Sequence, residues 1–237
     1  MADFLLIHGS CHGAWCWRDM LPRLNVRGHT ARAIDLPGAG QDATPLAEVT
    51  LDLYADAIIA AMTGPTVLVG HSAGGFPISA AAMRRPDLVA HLVYLCAHLP
   101  QTGKSMIDRR KDTAHQPLLD AVRKSDDGLS YTVIPEKARA KFYPDCPPEA
   151  VAYALAHLCA QPILPQATPL TVTDSLRALP KSYILCQQDG AIPPVFQDAL
   201  THEWPEFRVQ EMNCGHSPFF AQPARLAEIL LQIAEAP

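Results

Sequence analysis

No Cys-x-x-Cys pair occurs in the chain, and its seven cysteines (Cys11, Cys16, Cys96, Cys146, Cys159, Cys186 and Cys214) are odd in number. Neither a zinc site nor a disulfide framework is suggested, and reduced thiols fit best. Charge is scarce as well: 18% of residues are Asp, Glu, Lys or Arg, against 49% hydrophobic. That balance can bury apolar surface in bulk and excludes a disordered polyelectrolyte. A net charge of −5 argues against nucleic acid or an anionic membrane as the main partner. Long apolar runs are missing too. The stretch "AVAYALAHLCA" contains His157 and falls well short of the roughly 20 residues that span a bilayer. The start, "MADFLLIHG", carries Asp3 and only a short apolar run, where a secretory signal needs a basic start and about 7 to 15 apolar residues. The expected location is the cytoplasm. Internal repeats and low-complexity tracts are absent.

A chain of 237 residues is long enough for a large core, and α/β domains of this size commonly fold as one unit. Six short apolar runs read as strands: "FLLIH" (4–8), "TARAID" (30–35), "TVLVG" (66–70), "LVYLCA" (92–97), "SYILCQ" (182–187) and "FRVQEM" (207–212). Helical spacing lies between them. Over 51–62, Leu51, Tyr54, Ala55, Ile58, Ile59 and Met62 share one face, and 73–84 forms a second candidate helix. Strands alternating with helices predict a mainly parallel six-stranded sheet with helices on both faces. The alternation lapses from 98 to 180, a proline-rich span too long to lack structure of its own. It is expected to form an inserted helical cap, with 1–97 and 181–237 as the core. One cap helix opens at Pro147–Pro148–Glu149. The charges between Lys104 and Asp127 alternate in sign and read as a solvated face.

Ligand sites in such sheets lie at the carboxyl ends of the strands. After the third strand comes "GHSAGG", residues 70–75. A Gly-x-Ser-x-Gly pattern arises by chance in roughly 8% of chains this long, so its context decides. Here it sits between a strand and an apolar helix, which makes Ser72 a nucleophile standing clear of the sheet, with the Ala73 N–H facing any oxyanion. "HGSCHGAWCW" (8–17) follows the first strand, and the Ser10 N–H is the second expected oxyanion donor. His8 and His12 are expected to be mainly structural. A serine needs a base, and the base an orienting acid. Of ten histidines, His216 follows the last strand, and Asp189 follows the fifth. The order Ser72, Asp189, His216 is that of α/β-hydrolases.

These motifs, with "YILCQQDGAIPPVFQ" and "GHSPFFAQP", make the chain resemble the α/β-hydrolase group that contains plant methylesterases such as the salicylate methylesterases, hydroxynitrile lyases and bacterial esterases. The resemblance is strong in the core and weak in the cap, where it rests on "KFYPDCPPEAVAYAL". It implies an α/β-hydrolase fold and a Ser72–His216–Asp189 triad with Ser10 and Ala73 as oxyanion donors. It implies no cofactor, and no metal site is expected. In the lyase branch a threonine follows the first histidine of the oxyanion loop and a lysine follows the catalytic histidine; this chain has Gly9 and Ser217. Lacking that positive charge, it is expected to be a serine carboxylesterase acting on small to medium, largely apolar esters, with lyase chemistry the alternative. A non-catalytic small-molecule receptor on the same fold is the rival from another class, disfavoured by the intact Ser–Asp–His set. Dinucleotide binding at "GAGQDA" (38–43) fails, because Pro37, Pro45 and the late helix leave no helix N-terminus for a pyrophosphate.

For partners, a small-molecule ester is expected and a homodimer is left open. Met106, Leu118, Tyr131, Phe142, Tyr143, Leu155 and Leu158 are candidates for the pocket wall. No cationic clamp for a substrate carboxylate is evident, which makes a neutral ester the default.

Overall fold

A computed structural model of the protein describes residues 1–26, 28–113 and 115–235. Nine strands occur among them: β1 (Asp3–Ile7), β2 (Thr30–Ile34), β3 (Thr66–His71), β4 (Val89–Leu95), β5 (Val122–Lys124), β6 (Ser130–Val133), β7 (Gln161–Pro162), β8 (Lys181–Cys186) and β9 (Val209–Met212). Six form one sheet in the order β2-β1-β3-β4-β8-β9, and every neighbouring pair is parallel. These are the six strands the sequence predicts, shifted at their ends by up to three residues.

Side chains alternate across a strand, and β1 shows how this splits the core. Phe4 and Leu6 join a cluster with Trp17, Phe219, Leu226 and Leu230. Leu5 and Ile7 join the opposite one, with Tyr54, Ile58, Ile78 and Tyr94. Both faces of the sheet are therefore covered, which is why β3 is buried at every position.

The helix Leu51–Ala61 begins at Thr50, whose side chain accepts from the Leu53 N–H at 3.0 Å. It buries Leu51, Tyr54, Ala55 and Ile58, the expected i, i+3, i+4, i+7 face. The predicted 73–84 helix starts later: a 3-10 turn spans Ser72–Gly74 and the α-helix runs Gly75–Arg84.

The order in which strands are added reverses at β1, which has β2 on one side and β3 on the other. The ends of β1 and β3 are in register, with Ile7 opposite Gly70, so the loops beginning at His8 and Ser72 emerge side by side at the switch point. Segment 98–180 lies over these loops. It carries the expected helix, Pro148–His157 after Pro147, together with Met106–Lys111 and Pro135–Phe142. It also carries a small antiparallel sheet, β5-β6-β7, which a helical expectation did not contain. The physical reason is local. Val122 and the Tyr131-Thr132-Val133 run are extended formers, joined by a turn in which Gly128 adopts φ 73°.

No described helix is long and apolar enough to cross a membrane.

Candidate active site

Ser72 follows the last residue of β3 with φ 55°, in the left-handed region. That conformation costs a residue with a Cβ about 1–3 kcal/mol and persists only where the surroundings over-determine it. Two glycines make the turn sterically accessible. A Cβ at Gly70 would lie 2.7 Å from the Gly74 carbonyl oxygen, and one at Gly74 would lie 2.8 Å from that of His8. The elbow is thus compressed between its own helix and the loop after β1. Ser72 stands beyond the sheet as the sequence predicts, yet it is buried, because segment 98–180 closes over it.

The structure brings Ser72, His216 and Asp189 together from three strand ends. Ser72 Oγ lies 3.0 Å from His216 Nε2, and His216 Nδ1 lies 2.7 Å from Asp189 Oδ2. An acidic partner at Nδ1 places the ring proton there and leaves the Nε2 lone pair toward the serine hydroxyl. Asp189 Oδ1 accepts from the Ala191 and Ile192 N–H groups at 2.7 and 2.8 Å, and Oδ2 also accepts from Gln197 Nε2 at 2.9 Å. The side chains of His216 and Asp189 are 1% and 0% exposed, so this hydrogen-bonded line operates away from water.

Ser10 and Ala73 line the same small cavity as Ser72 and His216, and neither backbone N–H has an acceptor among the described residues. The loop carrying Ser10 is held by histidines whose tautomers its partners define. His8 Nδ1 donates to the Gly9 carbonyl while Nε2 accepts from the Leu36 N–H, at 2.8 and 3.1 Å. His12 Nδ1 donates to the Ser10 carbonyl at 2.8 Å and its Nε2 accepts from the Tyr143 hydroxyl at 2.7 Å. Burial pushes His12 down to about 3, which keeps it neutral for both roles. The Ser10 hydroxyl accepts from Gln166 Nε2 at 2.8 Å, and Gln166 Oε1 accepts from the Tyr131 hydroxyl at 3.0 Å. Segment 98–180 is in this way bonded directly to the loop carrying Ser10.

Ligand atoms of His71, Cys96 and His216 lie within 4.8 Å of one another, a spacing compatible with a metal ion. Their chemistry points elsewhere. His71 Nε2 donates to the His216 carbonyl at 2.8 Å, the Cys96 thiol reaches the same carbonyl at 3.6 Å, and both His216 nitrogens are already paired. Burial raises the Cys96 thiol to about 12, the opposite of a thiolate ligand. The Gly38–Gly40 turn is likewise no phosphate cradle: a Cβ at Gly40 would lie 2.0 Å from Asp35 Oδ1, so a carboxylate fills the space.

Of the wall candidates, Met106, Leu118 and Phe142 line the cavity. Leu155 is 37% exposed, and the Tyr131 and Tyr143 hydroxyls instead reach the loop after β1, through Gln166 and His12. Sequence reasoning missed His98 and Arg110, which line the cavity beside Ser72, and a second apolar cavity formed with Leu118, Ile192 and Phe196. The position of His98 just after β4, at a carboxyl strand end, was an available signal. Arg110 corrects the expectation that the pocket has no cation. It lies within the run taken for a solvated face, but at i+4 from Met106 it shares the face that Met106 buries.

The alpha/beta hydrolase family model matches residues 4–229. Methylesterase 7 of Arabidopsis thaliana is 29% identical over 98% of this chain and 96% of its own. The pyrethroid hydrolase of Sphingobium wenxiniae is 32% identical over 100% and 89%. The crystal structure of a pyrethroid hydrolase from Sphingobium faniae JZ-2 superposes with a TM-score of 0.87 at 30% identity, covering 100% of this chain and 98% of that one. The resemblance to plant methylesterases drawn from the motifs is borne out, and the chain belongs to the alpha/beta hydrolase family.

Proposed function

We propose that the protein is a serine carboxylesterase that hydrolyses small to medium, largely apolar carboxylic esters through an acyl-enzyme. The observation that carries this reading is the unbroken line from Ser72 Oγ to His216 to Asp189, at 3.0 and 2.7 Å. The names of its relatives, methylesterases and pyrethroid hydrolase, support ester chemistry.

The chemistry follows from the geometry. As Ser72 Oγ attacks the acyl carbon, its proton passes to His216 Nε2 and the carbonyl electrons move onto oxygen. Asp189 stabilises the imidazolium and holds its orientation. The N–H groups of Ser10 and Ala73 receive the oxyanion, where fixed donors away from water are worth most. Collapse of the tetrahedral intermediate breaks the bond to the alcohol oxygen, which takes the proton from His216. Water then repeats the sequence on the acyl-enzyme: it loses a proton to His216, attacks the acyl carbon, and the carboxylic acid leaves as Ser72 regains its proton.

A fluorophosphonate should label the wild type and fail to label Ser72→Ala. Ester turnover in that variant should fall to the residual contributed by binding and the oxyanion donors, on the order of 10³ to 10⁴ over water. Near-wild-type turnover by Ser72→Ala overturns the proposal.

A further inference from the structure

Four cations punctuate the cap between residues 104 and 111, and three are paired. Lys104 bonds to Asp112 at 2.7 Å and Lys111 to Asp108 at 3.0 Å; Arg109 is tied to Asp112, to Gln101 and to the Leu99 carbonyl. Arg110 has no hydrogen bond and no ion pair among the described residues. The helix Met106–Lys111 is anchored by a capping box between Ser105 and Asp108, which sets its rotation. Met106 is 1% exposed, and Arg110, one turn later, lies with it toward the cavity.

Arg110 stands where two spaces meet. One is the cavity containing Ser72 and His216; the other is the apolar pocket walled by Leu118, Ile192 and Phe196. His98 lines both as well. The residue is 5% exposed, its Nδ1 has no partner among the described residues, and its backbone N–H donates to the Ser72 carbonyl at 3.1 Å. Burial, aided by the nearby Arg110 charge, pushes His98 down to about 3, so the ring is neutral. No Asp or Glu lines either space among the described residues. A guanidinium held half-buried without a counter-ion loses hydration and recovers nothing from the protein. Only an anionic ligand would offset that loss here.

We infer that Arg110, with His98 beside it, forms a carboxylate-binding subsite, so that the preferred substrates are esters whose apolar body also carries one free carboxylate. This rests on the serine-esterase reading and narrows its substrate class. The guanidinium presents paired donors that match a carboxylate. Leu118, Ile192 and Phe196 would cover the apolar body.

The test uses two matched ester pairs, each differing only as carboxylate against carboxamide. The carboxylate lies on the acyl side in monomethyl terephthalate against methyl 4-carbamoylbenzoate. It lies on the alcohol side in 4-acetoxybenzoate against 4-acetoxybenzamide. The wild type should favour the carboxylate member of at least one pair by about tenfold to a hundredfold in kcat/KM, the range of a charge-assisted contact. Arg110→Gln should erase that ratio, mainly through KM, and Arg110→Lys should restore part of it. Equal rates within both pairs, or a ratio that survives in Arg110→Gln, overturn the proposal.

Calorimetry with benzoate and benzamide reads the subsite without turnover. Benzoate should bind the wild type at least about tenfold more tightly than benzamide, and Arg110→Gln should abolish the difference. A preference that persists in Arg110→Gln places the anion at the oxyanion donors and overturns the subsite. Absence of hydrolysis across all four esters would instead defeat the esterase reading, leaving the calorimetric result to decide the subsite.

Discussion

Gln197 Nε2 donates to Asp189 Oδ2 at 2.9 Å, the same oxygen that accepts from His216 Nδ1 at 2.7 Å. The amide also donates to the Ile192 carbonyl at 2.8 Å, and its Oε1 accepts from the Cys186 N–H at 3.1 Å. Gln197 is fully buried. It therefore clamps Asp189 to the end of β8 and fixes which way its carboxylate faces. Gln197→Leu leaves the Ile192 carbonyl and the Cys186 N–H unpaired in the interior. Stability should fall by about 2 kcal/mol or more, and kcat should fall with little change in KM. Urea melts and steady-state kinetics check both; unchanged melting would show that the clamp is dispensable.

Asp189→Asn should lower turnover by about 10⁴, because an amide no longer enforces the tautomer with the proton on His216 Nδ1. Asp174 and Asp198 are exposed, and their Asn variants serve as controls. A loss of activity at either control, with Asp189→Asn active, would move the acid elsewhere.

Acid should destabilise the fold before it reaches the carboxylates. His12 and His98 lie fully buried and are pushed down to about 3, whereas in the unfolded chain they titrate near 6.5. Below that value the unfolded state takes up protons that the folded state refuses. Their contribution is complete above about 6.5 and is lost as pH falls toward 3. At pH 5 each should cost about 2 kcal/mol relative to pH 7.5. Urea unfolding at the two pH values measures their sum together with the contributions of His8, His71 and His91, which burial also pushes down, and His98→Asn should reduce the dependence by its own share. Equal unfolding free energies at both pH values would contradict the buried neutral state.

Gly9→Thr with Ser217→Lys, the change toward the lyase pattern, should destroy esterase activity without installing cyanide release. A Cβ at Gly9 would lie 2.8 Å from Ser72 Cβ and 2.9 Å from His71 Nδ1, so the crowding falls on the Ser72 and His71 side chains rather than on a bound acyl oxygen. Ser217 is fully buried, and a lysine there would carry a charge into the interior against a desolvation cost of several kcal/mol. Following acid and cyanide from a methyl ester and mandelonitrile in one assay separates the outcomes. Cyanide released faster than acid by the wild type would reverse the assignment.

The elbow was legible because its signals are local. An apolar strand, a Gly-x-Ser-x-Gly turn and an apolar helix all fall within about twenty residues, and each constrains the backbone by sterics alone. Asp189 and His216 were legible for a related reason: parallel strands deliver their carboxyl ends to one edge, so chain order translates into position. Segment 98–180 obeys no such rule. Which face of the Met106–Lys111 helix turns inward depends on the loops it covers, and alternating charges concealed that one arginine of the run faces the cavity. Tyr143 reaches His12, Gln166 reaches Ser10 and Gln197 reaches Asp189 through separations that no periodicity encodes. The sequence alone determined the sheet, its helices and the chain order of Ser72, Asp189 and His216. Only the tertiary structure decided what Ser72 faces, because a cavity wall is assembled from side chains whose neighbours are set by packing between distant segments.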